Sequence, residues 1–411
     1  RYCLKKGYDV GVISGIVRQL KLYEQMGFQP FADLVGSGDA IYQPMLMTKE
    51  TFDQSIAGRI IKPTVNFLPG PIQISDAVIS SLMIEANSHR SKPFIEKMKL
   101  AKKKLCEIAN SSYVEILLGS GTLANDVIAG QLSLLNKKGL ILRNGEFGAR
   151  LQEHAERMNL NFDSLEKEWG LPFTKEDILA KISEDTAWIW AVHSETSTGM
   201  LNDLEMLEQI AEEKNLKLCL DCISSIGAVP INLNGVYLAS GVSGKALGAF
   251  TGLSLVFHQQ PVQPSKKLPK YIDLGMYSKH DSIPFSHSSN LLEALLTSLQ
   301  SNPTERYQKI NTVYNTIRAA IEEVGLELVT PKSQSSPAIL TIKIPSEISS
   351  VDIGEMLSYQ GYQLHYESSY LIERNWMQIA TVGDIQPAEI EKMLDLFCRI
   401  FESEKTAVLQ S

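Results

Sequence analysis

Excess positive charge, cysteine and long apolar runs are all scarce in this sequence. Lys and Arg number 39 against 47 Asp and Glu, a formal net charge of −8. No basic surplus marks a nucleic-acid binder or a protein of anionic membranes, since both work through clustered cations. No apolar run approaches the roughly 18 residues that a membrane-spanning helix takes; stretches such as 187–192 have the length of a buried strand. Five cysteines make an odd, sparse set without a disulfide framework, which is the usage of a reducing compartment, so the expected location is cytoplasmic. The first residue is Arg1 and no leader pattern follows it, so the natural chain is expected to begin further upstream. What is present is ordinary globular material, 411 residues with 44% hydrophobic and 21% charged side chains, enough for two or three domains and incompatible with wholesale disorder.

Composition shifts near residue 62, where Ile61-Lys62-Pro63 interrupts regular structure. Beyond it, short apolar strands alternate with amphipathic helices. Helices are predicted over 75–87 and 93–110, a strand over 113–118, then a glycine-rich turn and a helix running to residue 135. Apolar strands follow at 140–142, 186–192 and 216–220, each with a helical segment after it, the pattern of a mostly parallel sheet covered on both faces. After about residue 300 the texture changes to a long helix (303–324), an alternating strand (338–344) and a closing helix (387–401). The expected division is therefore 1–62, a large domain over 63–300 with an N-terminal arm at 63–83, and a smaller α+β domain over 301–411. No internal repeat or low-complexity tract appears.

Lys245 stands apart, in Ala239-Ser-Gly-Val-Ser-Gly-Lys-Ala-Leu-Gly248. An imine-forming lysine needs a partly desolvated, approachable amine, and small neighbours supply both; a surface lysine in a glycine-rich loop reads the same way. Asp221, in Leu218-Cys-Leu-Asp221, ends an apolar strand where open α/β sheets bind ligands. Its burial calls for a cationic partner such as a protonated pyridine nitrogen, or else it caps the next helix. Leu118-Gly-Ser-Gly-Thr122 joins a strand to a helix, so backbone N–H groups and the hydroxyls of Ser120 and Thr122 would meet at a helix N-terminus, a phosphate cradle. His193-Ser-Glu-Thr-Ser-Thr-Gly199 follows another strand, with hydroxyls able to donate to a phenolate oxygen.

In this order and spacing, from about residue 65 to the C-terminus, the four pieces resemble the class-V aminotransferases, pyridoxal-phosphate enzymes of fold type I. Phe67-Leu-Pro-Gly-Pro71 and Ser88-His-Arg-Ser-Lys-Pro-Phe94 are also similar to family segments near the substrate. The resemblance implies an α/β fold, with a mostly parallel seven-stranded sheet between helices and a smaller C-terminal α+β domain. It implies pyridoxal 5'-phosphate as cofactor and no metal. Lys245 would form the Schiff base and shuttle the proton, and Asp221 would pair with the ring nitrogen. Ser120, Gly121 and Thr122 would hold the phosphate with help from Ser243, Thr196 would meet the ring oxygen, and Phe147 would stack on the ring, unless it simply packs in the core. Ser282, in Asp281-Ser-Ile-Pro284, would reach a neighbour's phosphate across a homodimer with shared sites. The implied reaction moves an amino group between a small amine or amino acid and a keto acid by a ping-pong route.

The pattern departs in one place. Relatives bind the substrate carboxylate with an arginine on a late strand, a bidentate pairing; here Gln378 stands there, in Trp376-Met-Gln-Ile-Ala380. Arg374, expected on the same strand face, and Arg90 are the alternative anion binders, with Gly70 beside the substrate; an ion pair is the structural reading of Arg90. The missing arginine also leaves a lyase or decarboxylase open. A desulfurase would need a mobile nucleophilic cysteine, and Cys398 reads as a core helix residue. Cys219 and Cys222 lack the second pair of a zinc site and are expected to be small buried neighbours of Asp221. His287 and His365 are expected to be structural. Finally, Ile13-Ser-Gly15 through Met26-Gly-Phe28 resembles the end of a GNAT-type N-acyltransferase, in which Tyr23 would protonate a leaving thiolate. No pyrophosphate loop accompanies it, so residues 1–62 alone are not expected to bind acyl-CoA, and Tyr23 packing under Phe28 is the plain alternative. An acyltransferase fused to the pyridoxal-phosphate enzyme is the corresponding expectation, and acyl transfer as the main activity is an alternative to transamination.

Overall fold

The computed structural model describes residues 9–38, 40–55 and 64–410; the break expected at 61–63 lies outside them. Two compact units form, one of Arg1–Val65 with Met356–Gln363, the other of Asn66–Glu355 with Leu364–Ser411. In the first, β1 (Val10–Ile16), β2 (Gln29–Pro30) and β3 (Val35–Ser37) all pair antiparallel with the later strand β4 (Ala40–Thr48). Helix α1 (Leu20–Gln25) carries Tyr23, whose hydroxyl donates to Gln19 at 3.1 Å.

The second unit holds a seven-stranded sheet. Its strands are β5 (Tyr113–Gly119), β6 (Lys138–Arg143), β7 (Phe162–Glu166), β8 (Thr186–Val192), β9 (Lys217–Asp221), β10 (Leu238–Val242) and β11 (Gly252–His258). The spatial order is β5-β11-β10-β9-β8-β6-β7, and β11 alone runs against its two neighbours. Period-two alternation sorts the strand side chains into two layers. Ile189, Ala191, Leu218 and Leu220 pack with Phe94, Met98 and Leu105 of α3 (Lys92–Ala109). Trp188, Trp190, Val192 and Cys219 pack on the opposite face with Ala124, Val127 and Ile128 of α4 (Gly121–Leu135) and with Leu151 and Ala155 of α5 (Glu146–Arg157). Two residues beyond Cys219, Asp221 therefore faces the α4–α5 layer. Gly139 is opposite Trp188 in the ladder, and a Cβ there would lie 2.1 Å from the indole, so the wide ring dictates the glycine.

The helix predicted over 75–87 stops at Leu82, because the Asn290 amide takes the carbonyls of Leu82 and Ile84 at 2.9 and 2.7 Å and ends the ladder. Beyond residue 300, α6 (Pro303–Glu323) and α7 (Pro387–Gln410) accompany a three-stranded antiparallel sheet of β12 (Glu327–Leu328), β13 (Ile339–Lys343) and β14 (Trp376–Ala380). This layer packs into the same unit as the large sheet. Among the described residues, no helix is long and apolar enough to cross a membrane.

Candidate active site

The C-terminal ends of the parallel strands open onto a cavity of about 300 Å³, lined by Gly70, Ser120, Gly121, Thr122, Phe147, Thr196, Asp221 and Lys245 together with Asn125, Arg150, His154 and Ser224. Ser120 is the N-cap of α4 and makes no capping bond with its own side chain; the Leu123 N–H returns to the Ser120 carbonyl at 3.0 Å, which leaves the Gly121 and Thr122 N–H groups at the helix N-terminus for a ligand. At Gly121 a Cβ would meet the end of the Ile223 side chain at 2.6 Å, so a larger residue there would have to displace it.

At the floor, Asp221 is buried. Its Oδ1 accepts the Ile223 N–H at 2.9 Å and its Oδ2 accepts the Asn125 amide at 2.8 Å. Burial pushes its carboxyl above the usual range, opposed by the Asn125 and Ile223 hydrogen bonds and by the Lys245 charge. Among the described residues, Asn125 Oδ1 is itself buried without a partner. The Lys245 ammonium donates to Ser224 Oγ at 2.9 Å, and Ser224 Oγ lies 2.6 Å from Thr196 Oγ1. Burial lowers the lysine pKa, with Asp221 and Glu195 pulling the other way. The amine is thereby shifted toward its neutral, nucleophilic form.

Phe147 reaches the cavity because Glu195 anchors the start of α5. The fully buried Glu195 carboxylate accepts the Phe147 N–H at 3.3 Å, the Gly148 N–H at 2.9 Å and the Ser197 hydroxyl at 2.6 Å, an acid at a helix N-terminus. Gly145 makes room for it, as a Cβ would sit 2.5 Å from the Glu195 side chain. The Lys245 Nζ stands 5.5 Å from the Phe147 ring centroid.

Four expected site residues are otherwise engaged. Ser243 is fully buried and donates to the Phe250 carbonyl at 2.6 Å, closing the loop that carries Lys245 instead of facing the cavity. Ser282 is fully buried too, with positive φ, and bridges Glu115 Oε2 (2.6 Å) and the Ile116 N–H (2.9 Å), so it clamps β5 within its own chain and has no hydroxyl free for a neighbour. Arg374 precedes β14 rather than lying on it; its guanidinium stacks 3.8 Å over Trp169, away from the cavity. Gln378 is completely buried, and its amide nitrogen donates to the Thr196 and Ser197 carbonyls (2.6 and 3.1 Å) and to Thr341 Oγ1 (2.8 Å). Its oxygen accepts from His365 Nδ1 (2.8 Å) and the Tyr370 hydroxyl (3.3 Å). No donor is left for a substrate. Replacing Gln378 by Leu strands buried carbonyls of the 196–197 loop, and an expected loss of about 2–4 kcal/mol in urea unfolding follows.

Arg90 is exposed and lines no part of this cavity. His287 is half-buried against Phe94, and His365 spends its second nitrogen on Ser368 at 2.7 Å. Burial raises the thiol pKa values of Cys219, Cys222 and Cys398, so none is activated. Asn125, Ser224 and Glu195 were not singled out from the sequence. A buried Asn in the first turns of a mostly apolar helix was the available signal, since a buried amide must be bonded.

The family described as Aminotransferase class-V matches residues 76–279. A soluble hydrogenase 42 kDa subunit of Anabaena cylindrica is 31% identical over 303 residues, 68% of this chain and 78% of that protein. The chain belongs to the class-V aminotransferases. A 2-aminoethylphosphonate–pyruvate transaminase of Vibrio cholerae is 22% identical across 79% of this chain and 94% of its own length. Among solved structures, an aspartate aminotransferase of subgroup IV from Thermus thermophilus superposes with a TM-score of 0.75 at 25% identity, covering 82% of this chain and 99% of that one. This class-V aminotransferase is accordingly a pyridoxal-phosphate enzyme of fold type I. The residues present suit that cofactor: an uncapped helix N-terminus for a phosphate, a buried carboxylate for a ring nitrogen, an aromatic wall and a depressed lysine amine share one cavity.

Proposed function

We propose that Lys245, Asp221 and the Ser120–Thr122 turn carry a ping-pong transamination between a small amine or amino acid and a keto acid. The observation that carries the reading is the pairing, in one cavity, of a lysine amine held by Ser224 with a buried carboxylate held by Asn125. When bound, the cofactor supplies an electrophilic carbon for amines and an electron sink. Asp221 would hold a negative charge against the ring nitrogen, its carboxylate oriented by the Asn125 amide and the Ile223 N–H. Ser120, Gly121 and Thr122 would hold the phosphate at the start of α4, Phe147 would pack on the ring, and the Thr196 hydroxyl would donate to the ring oxygen. Lys245 would take and return the substrate proton at Nζ, oriented by its hydrogen bond to Ser224.

Purified protein given pyridoxal phosphate is expected to gain a visible absorption band, and borohydride is expected to fix the cofactor on Lys245. Loss of the band on adding an amine, restored by a keto acid, establishes transfer; a lyase would consume the amine without that reversal. Absence of any band sinks the reading.

Gel filtration with light scattering tests the homodimer that the family resemblance implies; a cytoplasmic location accords with the sparse cysteines. The division 1–62, 63–300 and 301–411 is retained as the working organisation. For residues 1–62, the central late strand β4 and the helix-borne Tyr23 favour an acyltransferase-like remnant. A longer chain assayed with acyl-CoA tests the fusion, and no acyl transfer would discard it.

A further inference from the structure

A keto acid and its amino acid both carry a carboxylate, which is costly to desolvate unless a cation meets it. The residue on β14 opposite the cavity cannot do this, because Gln378 is neutral and every hydrogen-bonding group it has is spent. Of the charged groups that line the cavity, Asp221 repels an anion, Lys245 is committed to the reacting carbon, and His154 is held by Asp126 at 2.7 Å. One guanidinium remains.

We propose that Arg150 is the substrate-carboxylate clamp of this site, an inference that rests on the transaminase reading above. Arg150 follows Phe147 by three residues on α5, so the two share a helix face. Its guanidinium carbon lies 4.8 Å from the Phe147 ring centroid, and Lys245 Nζ lies 5.5 Å from the same centroid, so both cations converge on one ring. Its charge acts on Lys245 and on Tyr370, and Tyr370 touches Gln378. Arg150 thus stands on the cavity wall beside Phe147. Nε and Nη2 are both engaged at 3.1 Å by a single oxygen of Glu146, while Nη1 has no partner among the described residues. The side chain is 50% exposed, so a carboxylate arriving from solvent reaches it at little desolvation cost. Glu146 orients the fork and leaves part of it free, the arrangement of a clamp rather than of a closed internal ion pair.

The experiment titrates the cofactor-loaded enzyme with propionate, which has neither amine nor carbonyl to react, and with the neutral propionamide, followed by calorimetry and by the visible band. Wild type is expected to bind propionate and not propionamide. Arg150→Gln is expected to weaken propionate binding roughly 10- to 100-fold with cofactor affinity unchanged, and Arg150→Lys is expected to keep part of it as a point charge. Equal propionate binding by wild type and Arg150→Gln overturns the proposal. So does wild type that binds no carboxylate, or an Arg150→Gln protein that loses cofactor in place of the anion. A wild type with no visible band at all fails at the preceding reading and takes the clamp with it.

Discussion

Lys245→Ala is expected to lower the transamination rate by about 10⁴-fold, because one change removes both the nucleophilic amine and the proton carrier. The fold should survive. Among the described residues the Lys245 amine makes one hydrogen bond, to Ser224, and an amine pushed toward its neutral form contributes little to stability. The variant should therefore keep its melting temperature within a few degrees, bind the cofactor without the visible band, and regain part of its rate with a small external amine such as methylamine. The outcome against the assignment would be undiminished turnover, or collapse of the fold with no rescue by added amine. Arg150 also lowers the Lys245 pKa by its charge, so the pH at which the amine becomes reactive should rise in Arg150→Gln.

The second large effect belongs to Asp221, and it runs in opposite directions for stability and activity. Burial raises the Asp221 carboxyl pKa above its usual value. In the window between the unfolded and folded pKa values, the native state binds more protons than the unfolded one. Stability therefore falls as pH rises through that window and stays lower above it. Asp221→Asn removes this penalty. The Asn125 amide has an unpartnered oxygen and need only flip to accept from the new side chain. The cofactor-free variant should melt above wild type at neutral pH, with the difference fading toward low pH. Activity should drop by about 10²- to 10³-fold, as a neutral amide no longer stabilises positive charge on the ring nitrogen. Equal melting curves at neutral pH, or an active variant, would count against a carboxylate buried in wait for a cation. A charge kept at a stability cost until a ligand arrives is the usual trade at such sites.

Much of this was readable along the chain. Strand positions followed from short apolar runs, and the residues at their C-terminal ends, Ser120, Thr196 and Asp221, do meet in one cavity with Lys245. The reason is geometric: in parallel strands those ends lie side by side, so residues roughly 25 to 75 positions apart are brought together by the sheet alone. The edge strand β7 and the antiparallel β11 were not foreseen, since neither changes the local apolar pattern in a distinctive way.

The sequence by itself determined the residue types and their order: a lysine among small neighbours, an acid ending an apolar strand, a glycine turn opening a helix. Those depend on local backbone direction and on side-chain chemistry, both written in consecutive residues. Only the tertiary structure decided which polar groups have bonding capacity to spare. Ser243 and Ser282 carry hydroxyls as suitable as that of Ser224, yet theirs are consumed by the Phe250 carbonyl and by Glu115. Gln378 looks like a substrate ligand until its amide is found on the Thr196 carbonyl, 182 residues away. A hydrogen-bonding group is finite, and what exhausts it comes from across the fold.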